Sequence, residues 1–191
     1  MKRLTVLGSS GSIGTQTLDV VRGHRDTFKI VGLSVKADIE SLLIQIDEFK
    51  PEVVAVADIE AAARLPELHC DILVGDDGAA ELAGWDGADI VLNALVGAAG
   101  LRSTLNALAA GRTLALANKE SMVAGGALVK KAMAGSGATI IPVDSEHSAL
   151  FQCLIGERKE EAERLILTGS GGPFRGRTLD QLRDVTVDEA L

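Results

Sequence analysis

Aromatic side chains are scarce, with one Trp, four Phe and no Tyr among 191 residues. So few rings leave little for unpaired bases to stack on, which argues against a single-strand nucleic-acid binder. Positive charge is also short: 19 Lys and Arg stand against 27 Asp and Glu, a formal net charge of −8. An acidic chain is repelled by phosphate backbones and anionic lipid faces, so neither nucleic acid nor a membrane surface is expected as a partner. Cysteine is limited to Cys70 and Cys153, too few and too far apart for a disulfide framework or a CxxC metal site. They read as buried thiols of a reducing compartment, which gives a cytoplasmic expectation. No apolar run approaches the roughly 18 residues a spanning helix needs. The one that follows Lys2 and Arg3 breaks at Gly8, too short for a signal peptide.

What is present is an ordinary globular composition, 47% hydrophobic and 24% charged. Short β-branched runs alternate with Ala-rich stretches of helical pattern, as in a parallel sheet covered by helices. The reading places strands at 4–7, 29–33, 53–56, 71–74, 89–93, 113–116 and 139–143. Helices fall between them at 12–22, 38–50, 58–65, 77–83, 101–109 and 120–134. The fold class is therefore α/β: a Rossmann-like, doubly wound, mostly parallel sheet, followed by the start of an α/β catalytic domain. A change of character near Glu146 sets the boundary, with a nucleotide-binding domain over 1–146 and the opening of a second domain over 147–191. In that second part, the charged stretch Gly156 to Arg164 reads as a solvated face. Leu165 to Leu167 reads as a short strand, and the last residues as a helix or two.

Six stretches could carry chemistry. The first strand runs directly into GSSGSIG, Gly8 to Gly14, and then into a helix. Backbone amides at such a turn, with the helix dipole behind them, suit a pyrophosphate. The strand-turn-helix context favours this over a plain packing turn. At the end of the second strand, Ser34 and Lys36 fall where a dinucleotide's ribose is contacted, and a hydroxyl with a cation suits a 2′-phosphate. NALVGAAG, with Asn93, Gly97 and Gly100, is balanced between a ligand crevice and a tight turn. LANKES places Asn118, Lys119 and Glu120 at the same edge, where ligand contact competes with a helix cap by Asn118.

PVDSEHSA follows the apolar residues Thr139 to Ile141. If the segment is extended, Asp144 and Glu146 share one side by the period of two, with His147 facing away as a structural residue. Paired carboxylates repel unless a cation neutralises them, and hard oxygen donors suit Mg²⁺ or Mn²⁺. A shared-proton pair or two exposed acids are the alternatives. TGSGGPF, Thr168 to Phe174, is a second glycine loop whose Ser170 and amides could form an anion nest, or a plain turn.

GSSGSIG, LANKES, PVDSEHSA and TGSGGPF, in this order and spacing, resemble the 1-deoxy-D-xylulose-5-phosphate reductoisomerase family over nearly the whole chain. The resemblance implies NADPH and a divalent metal, Mg²⁺ or Mn²⁺. The implied reaction is rearrangement and reduction of 1-deoxy-D-xylulose 5-phosphate to 2-C-methyl-D-erythritol 4-phosphate in isoprenoid biosynthesis, by a homodimer acting on a phosphorylated sugar. Carried over by position, Ser10, Gly11, Ser12 and Ile13 hold the cofactor with Asn118 and Glu120. Lys119, Ser145, Glu146 and Ser170 contact substrate, and Asp144 and Glu146 ligate the metal. The family's Gly-Lys/Arg-Asn triplet after the second strand is replaced here by Lys36, Ala37 and Asp38, with the cation displaced by one position. Family members also continue through a lid, a third metal-ligand Glu and a helical domain. The expectation is thus an N-terminal piece that binds NADPH weakly and does not turn over alone. The competing readings are an NADP-dependent dehydrogenase of the semialdehyde or homoserine type, and a non-catalytic dinucleotide-binding sensor.

Overall fold

The computed structural model describes residues 1–166 and 172–190. The chain divides into two compact units, Met1–Ser148 and Ala149–Leu191. In the first, strands β1 (Lys2–Leu7), β2 (Phe28–Val35), β3 (Val53–Val56), β4 (Asp71–Val74), β5 (Ile90–Asn93), β6 (Thr113–Leu116) and β7 (Thr139–Pro142) form one sheet in the order β4-β3-β2-β1-β5-β6-β7. Every pairing is parallel. Helices α1 (Ser12–Gly23), α2 (Ile39–Phe49), α3 (Ile59–Ala62), α4 (Gly78–Gly84), α5 (Ala99–Ala109) and α6 (Glu120–Ser136) form the crossovers.

Alternation along the strands feeds a separate core on each face of the sheet. In β3, Val54 and Val56 pack with Leu18 and Val21 of α1 and Ile39 and Leu42 of α2. Their neighbours Val53 and Ala55 pack with Leu82, Leu108 and Val129 from α4, α5 and α6. In β2 the alternation slips: Leu4 of β1 pairs with Ile30 but Thr5 pairs with Gly32, leaving Val31 as the extra residue of a bulge. Ile30 and Leu33 consequently share a face, and Gly32 faces Thr5, whose Oγ1 would lie 2.6 Å from any Cβ built there.

Helix ends follow local chemistry. Asp38 Oδ1 accepts from Ser41 N at 3.1 Å and starts α2, which ends at Lys50 in the left-handed conformation (φ 49°) just before Pro51. Asp58 caps α3 in the same way, through the Ala61 amide at 2.7 Å.

Helix α7 (Ser145–Cys153) follows β7. The second unit contains short 3₁₀ turns at Lys159–Glu161, Gly172–Phe174 and Asp180–Leu182, and helix α8 (Val187–Ala190). None of its described residues is buried. The strand expected at Leu165 to Leu167 is absent at Leu165 and Ile166, which are exposed and irregular, and Leu167 lies outside the described residues. The thiols differ from the buried pair expected. Cys70 is half-buried, with its pKa raised by desolvation, while Cys153 is exposed. Among the described residues, no helix is long and apolar enough to cross a membrane.

Candidate functional site

The strand order reverses direction at β1, so the crevice between the loops after β1 and β5 is the topological switch point of the sheet. Gly8 leaves β1 with φ 79°, and Ala94 O would lie 2.9 Å from a Cβ there. The amides of Gly8 and Ser9 donate to Ser34 O at 3.0 and 2.8 Å. Ser9 Oγ donates to Gln45 Oε1 at 2.6 Å, and Gln45 Nε2 returns a bond to Ser9 O at 3.1 Å. The first half of the loop is thus fixed from below by buried partners, while Gly11, Ser12 and Ile13 face solvent. Helix α1 is preceded by Gly11 at its N-cap, with no capping side chain and no acidic residue in its first turn. Its leading amides and positive dipole end therefore offer an open seat for an anion. Gly14 touches the loop so closely that a Cβ would lie 2.2 Å from Gly8 O.

Ser34 does not contribute a hydroxyl to a 2′-phosphate as expected. It is buried, and its Oγ accepts from Gly8 N at 3.1 Å, so its work is to hold the glycine loop. Lys36 is exposed at the mouth of a hollow it shares with Asp58, Glu60 and Asp76.

The stretches after β5 and β6 are joined by a directed chain of buried hydrogen bonds. Asn93 Nδ2 donates to Gly100 O and Thr104 Oγ1, both at 2.9 Å. Thr104 donates to Ser121 Oγ at 3.2 Å, and Ser121 in turn donates to Asn118 Oδ1. Asn118 Nδ2 finishes on Leu95 O at 2.6 Å and Gly97 O at 2.9 Å, and its Oδ1 also caps the Ser121 amide at 3.0 Å. The helix-cap reading thus holds for the Asn118 side chain, which is buried and fully engaged rather than free for a ligand. Thr104 and Ser121 carried no signal of their own in the sequence, apart from being polar at positions where apolar helix residues would serve. Asn118→Ala strands two carbonyls and an amide, and is expected to cost about 2–3 kcal/mol in chemical denaturation.

Lys119 and Glu120 stay exposed at the start of α6. The Lys119 ammonium reaches across to the segment beyond the edge strand and bonds Asp144 Oδ2 at 3.0 Å. His147 Nδ1 lies 3.0 Å from the other oxygen, Oδ1. The hydrogen bond from Lys119, followed by that from His147, holds the Asp144 carboxyl below its ordinary range. The same pairing raises the Lys119 ammonium, with Glu146 and Glu120 adding to the effect. Ser145 Oγ donates to Glu146 Oε2 at 2.8 Å.

The extended-strand argument for Asp144 and Glu146 fails. The strand stops at Pro142, and the Ser148 amide bonds Asp144 O at 2.8 Å, so Asp144 opens α7 and Glu146 lies in its first turn. The helical turn, not a period of two, relates these acids, and it swings His147 onto Asp144 rather than away from it. Ser170 lies outside the described residues. Among the described residues, no three His, Cys, Asp or Glu side chains are grouped to hold a metal. Asp144 and Glu146 still fit a hard divalent ion as two donors of a set. One is kept ionised, and a cation, the Lys119 ammonium, already bonds it and feels the other.

Residues 4–126 match the sequence family described as 1-deoxy-D-xylulose 5-phosphate reductoisomerase, and residues 140–191 match the C-terminal domain of that enzyme. The chain belongs to the 1-deoxy-D-xylulose 5-phosphate reductoisomerase family. It is 52% identical to the reductoisomerase of Chlorobium chlorochromatii, over the whole of this chain and 51% of that protein. The Geobacillus kaustophilus reductoisomerase is 50% identical over the same shares. Among solved structures, the Zymomonas mobilis reductoisomerase in complex with NADPH superposes with a TM-score of 0.86 at 36% identity, covering 99% of this chain and 51% of that one. A reductoisomerase in complex with NADPH, fosmidomycin and magnesium gives 0.83 at 37% identity, covering 100% and 50%. The chain thus spans about half the length of the curated relatives it matches.

Proposed function

We propose that this chain carries the cofactor-binding half and part of the metal site of an NADPH- and divalent-metal-dependent reductoisomerase. That enzyme converts 1-deoxy-D-xylulose 5-phosphate to 2-C-methyl-D-erythritol 4-phosphate in non-mevalonate isoprenoid biosynthesis. The observation that carries the reading is one shared edge of the sheet. The uncapped N-terminus of α1 and the Lys119–Asp144 pair both lie where the parallel strands end.

In this reading residues 1–146 form the NADPH-binding domain, and 147–191 begin the catalytic domain. Ser10, Gly11, Ser12 and Ile13 present the α1 amides to the pyrophosphate, with Gly14 admitting the close packing this needs. Lys36 supplies the cation for a 2′-phosphate. Asn118 contributes by fixing the backbone of the crevice, and Glu120 lies beside the cofactor. Asp144 and Glu146 ligate Mg²⁺ or Mn²⁺, which when bound acts as a Lewis acid on substrate oxygens. Lys119, Ser145 and Glu146 orient the phosphorylated sugar, and Ser170 lies towards its phosphate. The protein works as a homodimer in the cytoplasm, where an exposed thiol such as Cys153 stays reduced.

The test is NADPH oxidation with 1-deoxy-D-xylulose 5-phosphate and Mn²⁺, run side by side on these 191 residues and on the protein of the whole reading frame. The described residues offer two carboxylate ligands and no third, so the 191 residues are expected to bind NADPH without turnover, and the whole protein to turn over. A whole protein that folds and binds NADPH but leaves the substrate untouched would favour the dehydrogenase or sensor readings instead.

A further inference from the structure

Two carboxylates at a metal site repel each other whenever the metal is away, and something must offset that charge. Here the Lys119 ammonium bonds Asp144 Oδ2 at 3.0 Å and is stabilised in addition by Glu146. The two partners differ in freedom. The Asp144 side chain is 14% exposed and anchored by His147 and by its place at the start of α7, whereas the Lys119 side chain is 60% exposed on a flexible stem. One can swing away while the other stays.

We propose that Lys119 is the resident counter-cation of the metal site, holding Asp144 until a divalent ion displaces it and turns its ammonium towards the substrate. This rests on the metal reading of Asp144 and Glu146 given above. A doubly charged ion at Asp144 Oδ2 would stand in contact range of the ammonium, and their mutual repulsion favours departure of the singly charged, flexible partner. Binding is therefore an exchange of cations rather than an addition. The exchange also releases an ammonium within reach of a phosphorylated, oxygen-rich ligand. Metal arrival thereby prepares the substrate contact, which makes Lys119 a positioning residue before it touches substrate.

Mn²⁺ binding to the protein of the whole reading frame, followed through the electron paramagnetic resonance signal of the free ion, tests this without turnover. Lys119→Met is expected to bind Mn²⁺ about fivefold more tightly than wild type, the scale of one exposed ion pair. Lys119→Arg, which keeps a cation on Asp144, is expected to bind no more tightly. Lys130→Met removes an exposed lysine elsewhere on α6 and is expected to leave the affinity unchanged. Crystals grown with Mn²⁺ should show Nζ withdrawn from Asp144. Equal or weaker binding by Lys119→Met, equal tightening by Lys130→Met, or an ammonium still bonded to Asp144 beside bound Mn²⁺ would each overturn the inference while leaving the metal site standing. Mn²⁺ binding insensitive to Asp144→Asn would remove the metal site itself, and this inference with it.

Discussion

Gly14→Ala is expected to destabilise the first unit by about 3 kcal/mol, the upper end for forcing volume into a packed site, and to abolish dinucleotide binding. The added Cβ would lie 2.2 Å from Gly8 O and 2.7 Å from Ser9 Cα, and both obstacles are backbone. The loop has nowhere to retreat. The Ser9 amide and hydroxyl are bonded to Ser34 and Gln45, and Gly8 is itself pressed against the backbone after β5. Relief has to come from tilting α1 away from the sheet, which would pull Leu18 and Val21 out of their core and move the α1 amides off the crevice. Thermal denaturation should show a midpoint lower by about 6–12 °C. Gly23→Ala is the control, because nothing lies within 4 Å of its Cβ position at the end of the same helix. Equal stability and equal NADPH binding in the two variants would refute the close-packing account.

Asp144→Asn is expected to lower metal-dependent turnover of the whole protein by at least about a hundredfold, since even partners of metal ligands are worth 10–100-fold. Folding should hardly change. Asparagine keeps the shape and the backbone carbonyl that receives Ser148, and an ion pair as open as Lys119–Asp144 contributes less than about 1 kcal/mol. Comparing kcat with the urea midpoint separates the two effects. A well-folded variant that keeps more than a third of wild-type kcat would refute the role. The pH dependence has a definite sign: with its pKa depressed in the folded state, Asp144 adds stability above the ordinary carboxylate range and loses it only as pH falls through the lowered value. Neutral-pH assays therefore read an ionised Asp144.

Much of the fold was legible because each strand is a short apolar run between turn signals. Strands β3, β4 and β6 have the bounds the sequence suggests, and Asp38 and Asp58 cap the helices they precede. The segment after β7 misleads a sequence reading because it carries two signals at once. The apolar Ile140 and Ile141 favour extension, while Asp144 followed by Ser145 and Glu146 is a helix start, and the helix wins after Pro142. The polar interior was hidden for a different reason. Whether Ser34 meets a ligand or the Gly8 amide, and whether Asn118 meets a cofactor or the carbonyls of Leu95 and Gly97, depends on partners brought together only by the folded chain. The bulge at Val31 is equally silent in sequence except for the glycine beside it.

The strand order also sets an assembly schedule. β1 is made first and ends in the middle of the sheet, and β2, β3 and β4 can join one flank in the order in which they leave the ribosome. The other flank of β1 must wait for Ile90 to Asn93, with Leu4 paired to Ile90 across most of the nascent unit. Until β5 arrives, a half-sheet carries a bare, apolar inner edge, the kind of surface that recruits other chains. Within this sheet the aggregation-prone stage is therefore expected between the synthesis of β4 and the docking of β5. Chaperone contact during translation should concentrate in that interval.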